Sequence, residues 1–68
     1  MIIKKIKYVN ATKSFPLMFD WADSDGEDTD ELEQAYFYDS EEEAIIDLDR
    51  FDEPELRQIL PVKITYEF

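Results

Sequence analysis

The chain has no cysteine, no histidine and one glycine in 68 residues. Without cysteine it can form no disulfide, no thiolate metal site and no thiol nucleophile. Without histidine it lacks the commonest general base and the commonest metal ligand of proteins. It also has no apolar run long enough for a signal peptide or a membrane span. These absences predict a cytoplasmic protein with no cofactor, no metal ion and no membrane partner.

The size and apolar content of the chain predict one small folded domain. Sixty-eight residues leave room for a single core, so we expect one domain over residues 1–68. The chain is 44% hydrophobic and 15% aromatic, which is more than a disordered segment contains. Its paired carboxylates could in principle exchange protons, but such catalysis needs a pocket that separates two pKa values. A domain of this size rarely has the volume for one, so we expect no enzyme activity.

Hydrophobic periodicity predicts an α+β fold: a small antiparallel sheet with one helix packed on it, in the order β-β-β-α-β. The first two strands are expected at residues 2–9 and 15–22, joined by a turn at residues 10–14. The aromatic run at residues 33–39 indicates a third strand, and the alternation at residues 59–68 indicates the last. Core packing is expected for the aromatic side chains of Phe15, Phe19, Trp21 and Phe37.

The helix is predicted over residues 40–51. Ser40 and Glu43 have the spacing of a capping box, and the acidic residues 41–43 lie where the helix dipole favours negative charge. An inward stripe is expected from Ala44, Ile45, Leu48 and Phe51, while Ile46 falls among acidic residues on the outer face.

Charge is distributed unevenly along the chain. The formal net charge is −11, yet residues 1–19 contain four lysines and no acidic residue. Nearly all acidic residues lie within residues 20–55. Such a negative field should repel nucleic acid and attract basic surfaces, so we expect no direct binding to DNA or RNA.

The densest acidic segment, DSDGEDTDELE at residues 23–33, has three interpretations: a calcium loop, a solvated linker or a functional surface. In an EF-hand loop the glycine is sixth, so Gly26 would place Trp21 first and Leu32 twelfth. Neither can replace the acidic ligands required at those positions, which argues against calcium. The acidic excess also continues into the helix and exceeds the net charge of about 2 to 8 that solubility needs. These observations favour a functional surface.

The predicted contact surface combines this acidic segment with the outer face of the helix. A single apolar residue, Ile46, would serve as an anchor ringed by acidic side chains, as in many interface hot spots. The full set is Asp23, Asp25, Glu27, Asp28, Asp30, Glu31, Glu33, Glu41, Glu42, Glu43, Ile46, Asp47, Asp49 and Asp52.

In size, acidity and lack of catalytic residues, the whole chain resembles the small nucleic-acid mimics that bacteriophages encode. These include inhibitors of restriction enzymes, CRISPR effectors, uracil-DNA glycosylase and the nucleoid protein HU. The segment YFYDSEEEAIIDL followed by ILPVKITYEF also resembles the strand–helix–strand unit of short phage inhibitors of RNA polymerase. It is similar to the HicB-type antitoxin domain as well, although the glycine-bearing hairpin of that domain is absent.

These resemblances imply inhibition without catalysis, in which fixed carboxylates occupy a basic groove in place of phosphates. The partner would be a basic nucleic-acid-binding protein of the host: a nucleoid protein, a restriction or CRISPR effector, or a polymerase. The chain would act in the bacterial cytoplasm as a monomer or homodimer. Two alternatives stay open: an antitoxin-like or polymerase-binding regulator that uses its acidic surface without mimicking DNA, and a domain with no partner.

Overall fold

A computed structural model describes residues 1–14 and 18–68. They form a four-stranded antiparallel sheet and one α-helix, so the predicted α+β class is confirmed. The strands are β1 (Ile2–Ser14), β2 (Met18–Ala22), β3 (Asp28–Thr29) and β4 (Arg57–Glu67), and the helix α1 spans Glu41–Asp47. Their order across the sheet is β3-β2-β1-β4.

The pairing of β1 with β4 organises the sheet. It runs without interruption from Ile2 opposite Glu67 to Thr12 opposite Arg57. The far end of β1 also pairs with β2, from Ala11 opposite Trp21 to Ser14 opposite Met18. The predicted hairpin is therefore confirmed. The predicted turn at residues 10–14 is wrong, because β1 continues through these residues, which pair with β4 up to Thr12 and with β2 from Ala11. The part of the second predicted strand at residues 15–17 lies outside the described residues.

The third predicted strand, at residues 33–39, is also wrong. Residues Leu32–Gln34 form a short 3-10 helix, and only Tyr38 pairs with a strand, through a single bridge to Tyr8 of β1. The backbone N–H of Tyr36 donates to the carbonyl of Ala22 in β2. The segment thus crosses from β2 to β1 without following either strand. The third strand lies instead in the acidic segment, where Thr29 pairs with Trp21.

The helix begins where the sequence predicts, and it is shorter. The Ser40 hydroxyl accepts a hydrogen bond from the backbone N–H of Glu43, 3.2 Å away. The α-helix ends at Asp47 and continues as a 3-10 turn over Leu48–Arg50. Ala44 is buried as expected, but Ile45 is 49% exposed and does not belong to the inward stripe. It lies about 100° around the helix from Ala44, at the border of the buried face.

The core lies where the helix and the crossing segment cover the middle of the sheet. Val9, Asn10, Ala11 and Ala44 are fully buried. Among the predicted core aromatics, Trp21 and Phe37 are half-buried. The side chains of Phe15 and Phe19 lie outside the described residues. Leu60, Val62 and Ile64 of β4 are half-buried on one face, as the alternation predicts, whereas Tyr66 and Phe68 are exposed.

Candidate interaction surface

The acidic segment begins with a tight turn that is held by one of its own carboxylates. Oδ1 of Asp23 accepts hydrogen bonds from the backbone N–H groups of Asp25, at 2.9 Å, and Glu27, at 3.0 Å. Gly26 completes the turn with a φ of 82°, a conformation that favours glycine. Asp23 therefore shapes the turn, and the carboxylates that follow it project from a fixed loop.

Arg57 joins this loop to the sheet. Its Nη2 lies 2.9 Å from Oδ1 of Asp28, and its Nε donates to Oδ1 of Asn10. The guanidinium carbon also lies 4.4 Å from the centre of the Phe51 ring, within the range of a cation–π contact. The Arg57 side chain is only 9% exposed, so one buried cation connects β1, the acidic loop and the segment after α1.

Arg50 connects the same loop to the helix. Its Nε donates to Oδ2 of Asp47 at 2.8 Å, and its guanidinium carbon lies 5.2 Å from the centre of the Phe51 ring. A β-carbon placed on Gly26 would lie 3.5 Å from Nη1 of Arg50, which shows how closely the loop approaches this side chain. The two acidic segments are therefore neighbours in space, with arginines between them.

Sequence reasoning missed the roles of both arginines. A signal for them exists: Arg50 and Arg57 are the only cations between residues 14 and 62, a span that contains almost all acidic residues. A cation isolated among so many carboxylates is expected to be neutralised and partly buried. Which carboxylates it pairs with depends on the fold.

Most of the predicted surface residues project into solvent. Of the acidic members, Asp28 and Asp47 form ion pairs with the arginines, and Asp23 holds its turn. The rest are exposed and form no ion pair with any described residue; they are Asp25, Glu27, Asp30, Glu31, Glu33, Glu41, Glu42, Glu43, Asp49 and Asp52.

An open cleft lies between the acidic loop and α1, lined by residues of both, among them Ser24, Glu43 and Ile46. Ile46 is 66% exposed, which agrees with its predicted outward position. Tyr36 is 46% exposed, and its ring packs edge-on against Tyr38 with the centres 4.8 Å apart. Two accessible apolar groups thus lie within an acidic rim.

The base of this cleft is a hydrogen-bonded cluster of Tyr38, Asp47 and Arg50. The Tyr38 hydroxyl donates to Oδ2 of Asp47, which also accepts from Arg50. Burial and the hydrogen bond to Asp47 raise the pKa of Tyr38 above its usual value. Hydrogen bonds to Tyr38 and Asp47 raise the pKa of Arg50. The cluster therefore connects the crossing segment, through Tyr38, to the end of the helix at Asp47.

Comparisons of the chain with protein-family models, curated proteins and solved structures found no match. Among the described residues, no three acidic side chains are grouped so as to hold a metal ion. No helix in the described ranges is long and apolar enough to cross a membrane.

Proposed function

We propose that this chain is an acidic decoy that occupies the nucleic-acid-binding surface of a basic protein and displaces the nucleic acid. One observation carries the proposal: the two acidic segments, separated in sequence by residues 34–40, are brought side by side around Arg50. Their exposed carboxylates form one acidic surface, which covers residues 25–33 and 41–52.

The density of these carboxylates supports the proposal. Duplex DNA carries one charge per roughly 1.7 Å of its axis, counted over both strands, so a decoy needs many negative charges on a small surface. The exposed carboxylates of residues 25–33 and 41–52 lie on neighbouring segments and would stand in for the phosphates. A groove lined with lysine and arginine would accept such a surface.

The fold holds these like charges close together, which costs stability. Like charges at i and i+4, such as Glu43 and Asp47, destabilise a helix, and among the described residues only Asp47 of that pair has a basic partner. A small domain is marginally stable, so a surplus of unpaired carboxylates indicates that the charge is used. We propose that the chain is not an enzyme and that it does not bind nucleic acid itself.

A second candidate function has support from the cleft. Tyr36 and Ile46 provide two exposed apolar contacts within the acidic rim, whereas a phosphate track has none. This arrangement favours a regulator that docks on one specific surface of its partner, such as a polymerase or a toxin, without excluding nucleic acid. The two functions differ in whether DNA and the chain compete.

The experiment that separates them starts with affinity capture from bacterial lysate at low and at high salt. A captured basic protein is then titrated with labelled duplex DNA and this chain together. The decoy predicts mutual exclusion and binding that weakens steeply with salt, because surface charges are screened over about 8 Å at physiological ionic strength. A stable ternary complex with unchanged DNA affinity would contradict the decoy and favour the regulator.

Two variants test whether the exposed acidic residues cause the exclusion. Replacing Glu41, Glu42, Asp49 and Asp52 with lysine should abolish competition with DNA, and replacing them with glutamine or asparagine should give an intermediate loss. None of these four side chains forms an ion pair with a described residue, so the fold should be retained, which circular dichroism checks. Full competition by the lysine variant would show that this surface is not the one that binds.

A single substitution tests the apolar contact. Ile46→Ala should weaken partner binding by more than about 1 kcal/mol, as central interface residues do. Its melting temperature should change little because the side chain is 66% exposed. Ile45→Ala is the matched control, since Ile45 is 49% exposed on the same helix and does not line the cleft.

A further inference from the structure

One edge of β1 is open. Tyr8 exchanges two backbone hydrogen bonds with Tyr38, its N–H donating at 3.0 Å and its carbonyl accepting at 2.8 Å. Its backbone groups therefore point away from β4. Since successive residues of an antiparallel strand direct their groups to opposite sides, Ile2, Lys4 and Ile6 also point away from β4. The paired bonds between Met1 and Phe68 confirm this alternation, because they place an odd-numbered residue of β1 against the β4 side.

No described residue pairs with this open edge, which we define as the backbone of Ile2, Lys4 and Ile6. The pairing with β2 starts at Ala11, and among the described residues the crossing segment forms backbone hydrogen bonds with β1 only at Tyr8. The edge therefore presents three N–H donors and three carbonyl acceptors in a row. Such a row is a template for another strand.

The outer edge of β4 differs in one respect. Pro61 lies opposite Tyr8, and because Tyr8 points away from β4, the nitrogen of Pro61 faces outward. A proline there removes a donor from the middle of that edge, which is a common protection against unwanted pairing. The open edge of β1 contains no proline.

The side chains around the open edge are apolar and basic, apart from Glu67, which lies opposite Ile2 at the end of β4. Ile2 and Ile6 are 60% and 58% exposed and lie on one face of the sheet, with Lys4 between them and Lys63 opposite Ile6. Lys5 is exposed on the other face. An incoming strand would therefore meet two isoleucines and one lysine on one face and Ile3 with Lys5 on the other. No acidic residue occurs between residues 1 and 19.

We propose that the open edge of β1 binds, by strand addition, an extended segment of a partner protein in which acidic and apolar residues alternate, with its apolar side chains on the face of Ile2 and Ile6 and its acidic side chains on the face of Lys5. The backbone edge supplies the hydrogen bonds, the isoleucines supply apolar contacts, and the lysines select for acidic side chains. This site is separate from the acidic surface and does not depend on the proposed function.

The acidic surface does not prevent such a segment from approaching. Lys4 lies three residues along the strand from Lys7, which is about 10 Å, and Lys7 pairs with Asp39 where the acidic part of the fold begins. Charges are screened beyond about 8 Å at physiological ionic strength.

A second copy of this chain fits the edge less well. Antiparallel pairing of two open edges places Ile2 opposite Ile6 and therefore Lys4 opposite Lys4 of the other copy. Like charges directly opposite one another destabilise a sheet. A partner segment with no lysine on that face avoids the repulsion, and its acidic side chains meet Lys5 on the other face, so a partner strand is the occupant that the charges favour.

The test uses a six-residue peptide of alternating glutamate and valine, with the same peptide carrying lysine for glutamate as its control. Backbone hydrogen exchange of the folded chain is measured by NMR. The glutamate peptide should slow exchange at Lys4 and Ile6 at least about tenfold at saturation, and exchange at Lys5, whose N–H faces β4, should not change. Equal slowing at all three amides, or equal binding of the lysine peptide, would overturn the proposal.

Two proline substitutions distinguish a loss of binding at the open edge from a loss of folding. Lys4→Pro removes an N–H that points away from β4, so the chain should fold and lose peptide binding about tenfold or more. Thr65→Pro, at the residue paired with Lys4, makes the same change on the outer edge of β4 and should leave binding unchanged. Equal effects of the two would contradict the proposal. Sedimentation of the chain alone is measured as well. Concentration-dependent association that Lys4→Pro removes would show that a second copy occupies the edge, and it would also overturn the proposal.

Discussion

The β1–β4 ribbon and the acidic half of the molecule are built differently. The ribbon consists of two long strands in unbroken register, and its charges are mainly lysines. The acidic half, residues 20–55, contains a two-residue strand, a seven-residue helix and 3-10 turns. Backbone pairing along the full length of both strands holds the ribbon together. The acidic half is joined to it by the end of β2, by the Tyr8–Tyr38 bridge and by side-chain bonds of Lys7 and Arg57.

This difference indicates a division between scaffold and surface. A regular ribbon tolerates few changes to its buried side chains, such as Val9 and Ala11, because the helix and the crossing segment cover them. Short turns and a short helix leave most of their side chains in solvent, so they can carry many carboxylates without burying any. The few contacts that hold the acidic half to the ribbon must then offset the repulsion among those carboxylates.

The largest expected effect comes from placing an acidic residue in the scaffold. Val9→Asp should destabilise the fold by about 5 kcal/mol or more, because it places an unpaired carboxylate at a fully buried position. A domain of this size is stable by only about 5 kcal/mol, so circular dichroism should show an unfolded chain. Ile46→Asp is the matched control on the exposed helix face and should remain folded. A folded Val9→Asp variant would contradict the assignment of the scaffold.

The next effect concerns the link between the two regions. Arg57→Met should cost about 2 to 3 kcal/mol, because it leaves Asn10 buried without its donor and Asp28 without its cation. Nδ2 of Asn10 already has no hydrogen-bond partner among the described residues, so this amide depends on Arg57. Arg50→Met, at a side chain that is 40% exposed, should cost less. Urea unfolding of both variants measures the difference, and the reverse order would show that Arg57 is not the main link.

The sequence predicted the ribbon better than the acidic half for a physical reason. Alternation over the last strand reflects its half-buried face directly, so β4 was found within two residues of its observed start. The two-residue β3 is too short to show any period, and its position depends on pairing with β2. The aromatic run at residues 33–39 has strand propensity, yet hydrogen bonds to Ala22 and Tyr8 from different strands bend it across the sheet.

For the candidate surface, the exposure of the carboxylates could be predicted from the sequence, but the side-chain contacts that hold the surface in place could not. Carboxylates in excess have no partner to be buried with, so their charge alone places most of them in solvent. The contacts of Arg57 join residues 47 and 29 positions away, and no local pattern encodes such distances. The outward position of Ile46 followed from helix geometry, because the helix begins at the predicted cap.

A smaller effect is expected at the turn of the acidic loop. Gly26→Ala should destabilise the fold by about 1 kcal/mol, because a side chain at a φ of 82° is strained. Contact with Arg50 at 3.5 Å is ordinary, so the cost is one of backbone conformation. Gly26→Asn should cost less, since asparagine tolerates this conformation better. Urea unfolding compares the two, and equal losses would point to crowding against Arg50 instead.

The smallest effect belongs to the ion pair of Lys7 and Asp39, because it lies at the surface and exposed pairs contribute little. The hydrogen bond between the two side chains raises the pKa of Lys7 above 10.5 and lowers the pKa of Asp39 below 3.8. The stabilisation from Lys7 is therefore complete below pH 10.5 and is lost as the pH rises through its folded pKa. The stabilisation from Asp39 is complete above pH 3.8 and is lost as the pH falls through its folded pKa.

The stability difference between the chain and Lys7→Met, measured by urea unfolding, should thus be constant between these limits and shrink outside both. Lys4→Met is the control, since Lys4 forms no ion pair with a described residue. If the stability difference for Lys7→Met stays constant from pH 3 to pH 11, the ion pair does not link the ribbon to the acidic half.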